Sequence, residues 1–299
     1  MNSLSSIIPL FFTLFAMSCT SEMDVDYLEP EETGLTYVEI VTPIEGIGEY
    51  RGCTSQGLSI SDKYAFITYD TGLIQVLDYS SKKIVSSFEM PDGVHHKKNH
   101  AGMAVFGDVY YDETDSFPLL YISSYKESKC YVLRVSLSGA ELVQEIQMDQ
   151  SWHFFVDNKD LIVRLNDNTY YVFDLPEVSQ QYVYLDKSNA KQSFSFDIPN
   201  MHYAGAFCEN GRMFVLCYYK ETPNGVVGKY DRLVEFDYHN NAFISEIVFR
   251  DLRIRTIEFE GLSVTPMGDI VISFVTDQLA TIHFCDNTNA YESFQNHTS

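Results

Sequence analysis

Four short strings, each with glycine in second position, recur along this chain of 299 residues. They are Gln56–Ile60, Ala101–Val105, Ala204–Phe207 and Glu260–Val264, and each opens a passage of alternating apolar runs separated by turns. Their glycines are 45, 103 and 56 residues apart, and the double-length gap contains one further unit that begins at Trp152 without a glycine. A period of about 50 residues with several short strands in each unit predicts a β-propeller.

The alternating runs divide into five units. The third unit, from Trp152 to Asp186, is predicted to end with a strand over Gln181–Leu185. The fifth unit opens at Ile257 and contains only three such runs, whereas Leu35–Val41 alternates before the first unit and has no partner there. A terminal strand that completes the last blade removes open sheet edges. We therefore expect an all-β propeller of five four-stranded blades closed by the N-terminal strand, with six blades as the alternative.

The first 18 residues are typical of an export signal rather than of a folded element. Ile7–Met17 is an apolar run too short to span a bilayer comfortably, and it leads into Ala16-Met17-Ser18-Cys19. This end resembles the lipobox of bacterial lipoproteins, which implies lipidation of Cys19; an ordinary secretory signal with an incidental cysteine is the alternative. We expect a signal peptide over 1–18, an acidic tether over 19–33, the propeller over 34–286 and a tail over 287–299. The resemblance implies a lipid-anchored protein of the bacterial outer membrane, either periplasmic or surface-exposed.

The chain has 42 acidic and 20 basic residues, which gives a formal charge of −22. Neutralising nucleic-acid phosphates needs a basic face, so this charge argues against nucleic acid as a partner. It also disfavours direct adhesion to anionic lipid headgroups. The expected partners are a glycan, a small molecule or an envelope protein. We expect the membrane to be reached through the lipid anchor alone, and the protein to be a monomer.

Polar and aromatic residues lie at the start of successive units. In a propeller, such positions surround one mouth of the central channel, where convergent groups form the usual small-molecule site. We predict a ligand-binding site made of Arg51, Gln56, His100, Trp152, His153, His202, Tyr203 and Glu260. Structural roles are the alternatives for two of these residues. His153 beside Phe154 suits a core residue, and Glu260 suits an ion pair with Arg51 or Arg255.

Signals for catalysis or a cofactor are sparse. The chain contains no Gly-x-Ser-x-Gly elbow, His-Glu-x-x-His motif or phosphate loop, and no Cys-x-x-Cys pair. Glycoside hydrolysis needs two carboxylates, whereas only Glu260 lies at the start of an inner strand and Asp157 reads as a turn residue. We therefore favour a protein that binds its ligand without turning it over and needs no cofactor, although imidazoles with a carboxylate can hold a divalent metal. The alternatives are a hydrolase or lyase that uses Glu260 with a histidine, and a protein-interaction scaffold.

The string Glu260-Gly261-Leu262 at the start of a predicted innermost strand resembles the TolB-like group of β-propeller lipoproteins. The resemblance extends over Leu35 to Phe284 and concerns mainly the pattern of strands. It implies a six-bladed propeller in an exported lipoprotein, whereas the repeats themselves indicate five units.

Overall fold

A computed structural model of the protein describes residues 37–41, 55–91, 94, 101–195, 201–219, 230–250, 259–266, 268, 270–274 and 278–283. These residues form 21 β-strands and one short 3-10 helix, Lys187–Asn189. No helix within these ranges is long and apolar enough to cross a membrane. The part of the chain that the structure describes is therefore almost entirely β.

The strands form five antiparallel sheets, one of which carries an added parallel strand. Sheet 1 consists of β2 (Ser55–Ser61), β3 (Tyr64–Tyr69), β4 (Leu73–Asp78) and β5 (Lys83–Glu89). Sheet 2 consists of β6 (Ala101–Phe106), β7 (Leu120–Ser124), β8 (Lys129–Ser136), β9 (Gly139–Gln147) and β13 (Tyr182–Tyr184). Sheet 3 consists of β10 (Ser151–Asp157), β11 (Asp160–Leu165), β12 (Thr169–Asp174) and β14 (Gln192–Ser195).

Sheet 4 consists of β15 (Met201–Glu209), β16 (Arg212–Tyr219), β17 (Tyr230–Asp237) and β18 (Ala242–Arg250). Sheet 5 consists of β19 (Phe259–Val264), β20 (Ile270–Phe274), β21 (Gln278–His283) and β1 (Tyr37–Val41). In sheet 5, β1 pairs antiparallel with β21 from Tyr37 opposite His283 to Val41 opposite Leu279. β1 thus joins the last three described strands in one sheet, as its unpaired alternation indicated.

Short hairpins join the first two strands of three sheets because their loops contain residues suited to positive φ. The loop residues Asp62, Asn158 and Asn210 have φ values of 51°, 53° and 51°, and Gly211 has 81°. Two-residue loops whose first residue has a positive φ match the right-handed twist of the flanking strands. The hairpins fix the register in which the first strand of each of these sheets meets the second.

The first strands of the five sheets form a closed ring in the order β2, β6, β10, β15, β19, in which each contacts the next and β19 contacts β2. Serine hydroxyls join neighbours in this ring: Ser59 Oγ accepts from Phe106 N at 2.8 Å, and Ser263 Oγ accepts from Ile60 N at 3.0 Å. Among the described residues, buried apolar clusters lie between sheets 1 and 2, 2 and 3, 3 and 4, and 5 and 1. This arrangement is a β-propeller, and it places the strand ends of all five sheets around two mouths.

The strand composition of one sheet differs from the prediction. Gln181–Leu185 was expected to be the fourth strand of the third unit, but β13 pairs parallel with β9 of sheet 2. After β13 the chain turns through the 3-10 helix, and β14 supplies the outer strand of sheet 3, where Phe194 stacks on Tyr170 at 4.9 Å. Four sheets therefore have four strands and sheet 2 has five. The prediction of five four-stranded blades is corrected, because only four of the sheets have four strands. The six-bladed alternative is corrected as well, because the described strands form no sixth sheet.

Candidate functional site

Every inner strand carries a register shift near its first residue. The residue at the shift is Gln56 in β2, Gly102 in β6, Trp152 in β10, Ala204 in β15 and Glu260 in β19. A β-bulge of this kind leaves one residue out of the ladder and re-aims its side chain. Because the shift recurs in all five strands at the same end, the five residues occupy equivalent places at one mouth, which we call the upper mouth.

The residue after each bulge determines how closely adjacent inner strands approach. In three strands this residue is glycine. An added Cβ on Gly57 would lie 2.8 Å from Ala104 N, and an added Cβ on Gly205 would lie 2.9 Å from Leu262 N. In β10 this residue is His153. In β6 it is Met103, and a side chain at this position requires more room than the glycines leave. The His153 imidazole is half-buried at the upper mouth.

A guanidinium lies beside this imidazole. Arg164 of β11 is directly opposite His153 in the sheet, and its Nη1 lies 3.1 Å from His153 Nδ1. Its Nη2 donates to Asn168 Oδ1, and its Cζ lies 4.0 Å from the centroid of the Tyr203 ring and 5.4 Å from that of Trp152. We call Trp152, His153, Arg164 and Tyr203 the Arg164 site. It joins sheet 3 to the first strand of sheet 4.

The protonation of His153 follows from these contacts. Burial, together with the nearby positive charge of Arg164, lowers the pKa of His153 to about 3. The imidazole is therefore neutral near pH 7. Since a guanidinium can only donate, Nδ1 must accept from Arg164, which leaves the ring proton on Nε2. His153 thus presents a hydrogen-bond donor on the side of the ring away from Arg164.

Arg164 has no carboxylate partner among the described residues. Its side chain is 5% exposed, its two hydrogen-bonding partners are the neutral His153 and Asn168, and its Nε has no acceptor. Burying a charge without a counter-ion costs several kcal/mol, and aromatic faces compensate only part of this cost. The Arg164 site is therefore electrostatically incomplete within the described chain.

The structure brings together three of the residues predicted for the mouth, namely Trp152, His153 and Tyr203. Trp152 is 39% exposed, and the other two are half-buried. Gln56 is buried and donates to Ser55 O at 3.2 Å, and Glu260 is half-buried in the equivalent position of β19. His202 lies in β15 with no described side chain, while Arg51, His100 and the predicted lipidation residue Cys19 lie outside the described residues.

Sequence reasoning missed Arg164. It lies in the second strand of its sheet, inside the apolar run Leu161–Leu165, and not at the start of a unit. A single charged residue in a strand that is otherwise buried was the available signal. Buried arginines are rare unless they are paired, so this residue type in this position indicates either an ion pair or a ligand.

The opposite mouth contains a cavity of about 410 Å³ lined by residues from the inner strands of all five sheets and from the loops that follow them. Ser59, Phe106, Asp157, Glu209 and Ser263 represent the five strands. Burial raises the pKa of Glu209, and the nearby charges of two aspartates raise it further. No group of three or more His, Cys, Asp or Glu side chains in the described ranges is arranged to hold a metal ion.

Asp157 at this opposite mouth is a structural clamp, not merely the turn residue that the sequence indicated. It is 5% exposed, and its carboxylate accepts from Asn210 N at 2.9 Å, Gly211 N at 2.6 Å and the Tyr238 hydroxyl at 2.8 Å. These donors belong to sheet 4 and its loops, so the contact ties sheets 3 and 4 together. A carboxylate with this many donors is held in place for packing.

Comparisons with known proteins bear on the fold. No protein-family model matches the chain, and no curated protein matches it. The structure is similar to that of Myxococcus xanthus glutaminyl cyclase, with a TM-score of 0.50 and 11% sequence identity over 82% of this chain and 95% of that one. At this identity the likeness shows the fold alone.

Two further similar structures are propeller domains. The WD40 domain of Neurospora crassa Pan2 gives a TM-score of 0.46 at 10% identity, over 79% of this chain and 91% of that one. The β-propeller domain of Cps50 (Swd1) from Myceliophteria thermophila gives 0.43 at 9% identity, over 77% of this chain and 84% of that one. The protein is an all-β propeller in which four sheets have four strands and sheet 2 has a fifth.

Proposed function

We propose that this chain is a propeller lipoprotein of the bacterial outer membrane that binds a small molecule or glycan at its upper mouth without turning it over. The arrangement of the Arg164 site is the observation that supports this function most. Partly exposed aromatic faces beside a few fixed polar groups are the usual composition of a small-molecule site. Trp152 and Tyr203 provide such faces, and His153 and Arg164 provide hydrogen-bond donors.

The chain supplies its own reporter for a binding experiment, because Trp152 is its one tryptophan. We expect a ligand at the upper mouth to change the intrinsic fluorescence of Trp152 in a saturable titration. A panel of neutral and acidic glycans and small molecules should be compared on the wild type and on Tyr203→Ala. The exposed Tyr184→Ala serves as the matched control. Fluorescence changes that are equal in both variants would show that the ligand binds elsewhere.

The anchor is tested separately. If Cys19 carries a lipid, the Cys19→Ala variant should move from the membrane fraction to the soluble fraction of the producing bacterium. Continued sedimentation of this variant with the membranes would contradict the proposed anchor. The binding proposal does not depend on this result, because the propeller and its upper mouth lie in other residues.

A scaffold role is the second candidate, and exposed aromatic side chains favour it. Tyr110 and Tyr111 follow β6 in the 107–118 segment, and about half of each side chain is exposed. Tyrosine is enriched at protein–protein interfaces, because a large apolar ring ends in a polar group. Replacing both with serine should remove a co-purifying envelope protein if these residues form an interface. An unchanged set of co-purifying proteins would argue against this role.

A further inference from the structure

We propose that Arg164 receives the carboxylate of an anionic ligand at the upper mouth. The inference rests on the proposed function, because it names the ligand class for the same site. A nearly buried guanidinium with only neutral partners and an unpaired Nε is poorly stabilised by the described chain. A bound anion would supply the missing charge, and the planar fork of arginine matches the two oxygens of a carboxylate.

The neighbours of Arg164 define how such a ligand is oriented. The neutral His153 carries its proton on Nε2 and can donate a second hydrogen bond. The Tyr203 ring already covers one face of the guanidinium at 4.0 Å, so the ligand must approach from the edge or from the side of Trp152. A ring or an apolar face attached to the carboxylate would then contact the exposed indole. The ligand class is therefore a carboxylate next to a flat or ring-shaped group.

A monoanion suits the site better than a phosphate. The site contains one cation, since His153 is neutral, and the chain as a whole has a charge of −22. A phosphate carries up to two negative charges and is usually held by several cationic groups or backbone N–H donors. One guanidinium with one neutral donor matches a single negative charge.

The experiment uses two pairs of probes that differ in charge but hardly in shape. Benzoate is compared with benzamide, and oligogalacturonate with its neutral methyl ester, by Trp152 fluorescence and by calorimetry. Within each pair we expect the carboxylate to bind about 10- to 100-fold more tightly, the usual effect of a hydrogen-bonded charge pair. The first pair represents free aromatic acids and the second represents acidic saccharides, so the comparison also distinguishes the two sources of the carboxylate.

The matched variants are Arg164→Met, Arg164→Lys and the control Arg134→Met. Arg134 is paired with Asp115 at 2.6 Å, away from the upper mouth, so its loss should leave binding unchanged. Arg164→Met should abolish the preference for the carboxylate and melt at the same or a higher temperature, because removing an uncompensated buried charge relieves its desolvation cost. Arg164→Lys should give an intermediate preference and provides a second comparison if Arg164→Met does not fold.

The outcomes separate the two proposals. If neutral probes change Trp152 fluorescence as strongly as carboxylates, the upper mouth binds ligands but the role of Arg164 is refuted. If carboxylates bind equally well to the wild type and Arg164→Met, the role of Arg164 is also refuted. If no probe of either kind binds, both the inference and the proposed function fail. A preference that is lost in Arg164→Met and kept in Arg134→Met supports both.

Discussion

Gly57→Ala tests whether close contact between inner strands holds the ring together. The added Cβ would lie 2.6 Å from Thr68 Oγ1, 2.8 Å from Ala104 N and 3.2 Å from Met103 C. Ordinary contact begins at 3.4 Å, so Ala104 N alone must move by about 0.6 Å, the difference between 3.4 and 2.8 Å. Ala104 belongs to the next inner strand, whose backbone is paired on its other side and cannot rotate away as a side chain can.

The magnitude follows from two opposing effects. Overpacking of a well-packed core costs about 1–3 kcal/mol. Replacing glycine by alanine also restricts the unfolded chain, which returns about 0.4–1 kcal/mol. We expect a net loss of about 1–2 kcal/mol, which corresponds to a fall in Tm of about 2–8 °C for a domain of this size. Thermal and urea unfolding followed by circular dichroism would measure it.

Gly139→Ala is the matched control. A Cβ at Gly139 meets nothing within 4 Å, so this variant should be neutral or slightly stabilised. The double variant Gly57→Ala/Thr68→Ala separates the two kinds of contact in a double-mutant cycle, and it should recover only part of the loss because the contact with Ala104 N remains. If Gly57→Ala is as stable as Gly139→Ala, the inner strands separate without cost and the steric explanation of the repeated glycine is wrong.

Three further predictions concern titrating and clamping residues. The pKa of His153 is about 3 in the folded protein and 6.5 ordinarily. The free energy of unfolding should therefore fall by up to about 1.4 kcal/mol per pH unit as the pH is lowered from 6.5 towards 3. Urea titrations at several pH values should show that His153→Gln lacks this contribution. Asp157→Ala removes the acceptor of the buried Gly211 N–H and leaves the Tyr238 hydroxyl only its longer contact with Asp160 at 3.3 Å, so this variant should lose about 3 kcal/mol in the same assay. Burial, and then the charges of Asp157 and Asp108, raise the pKa of Glu209, so its charged form destabilises the fold at neutral pH. Glu209→Gln should therefore raise Tm at neutral pH, and this gain should vanish below the ordinary pKa of 4.5, where the carboxyl is protonated in both states. Equal melting of Glu209→Gln and wild type at both pH values would contradict that reasoning.

The sequence predicted the inner strands well because their requirement is local. A glycine after the bulge is needed wherever two inner strands approach closely, so the same string recurs at Gly57, Gly205 and Gly261. The outer strands were predicted less well. Both Tyr182–Tyr184 and Gln192–Ser195 alternate, so the local pattern does not decide which one completes sheet 3. In the structure Gln192–Ser195 pairs there, and Phe194 stacks on Tyr170.

The same distinction explains what sequence reasoning could find of the candidate site. Trp152 and His153 break a repeated string at its start, so comparison between units identifies them. Arg164 breaks no repeated string, because it lies in a second strand, and its importance arises only where β11 places it opposite His153 and against Tyr203. The Asp157 clamp has the same origin, since its donors come from the neighbouring sheet.

Two inner strands have a side chain where the other three have glycine after the bulge, and the candidate site lies at one of them. Where glycine follows the bulge, neighbouring inner strands meet backbone to backbone and no room is left for a ligand. Met103 takes that place in β6 and His153 takes it in β10. Beside His153 lies a cation that the described residues do not neutralise. An uncompensated buried cation is costly in a purely structural propeller, and the anionic ligand proposed for Arg164 would offset this cost.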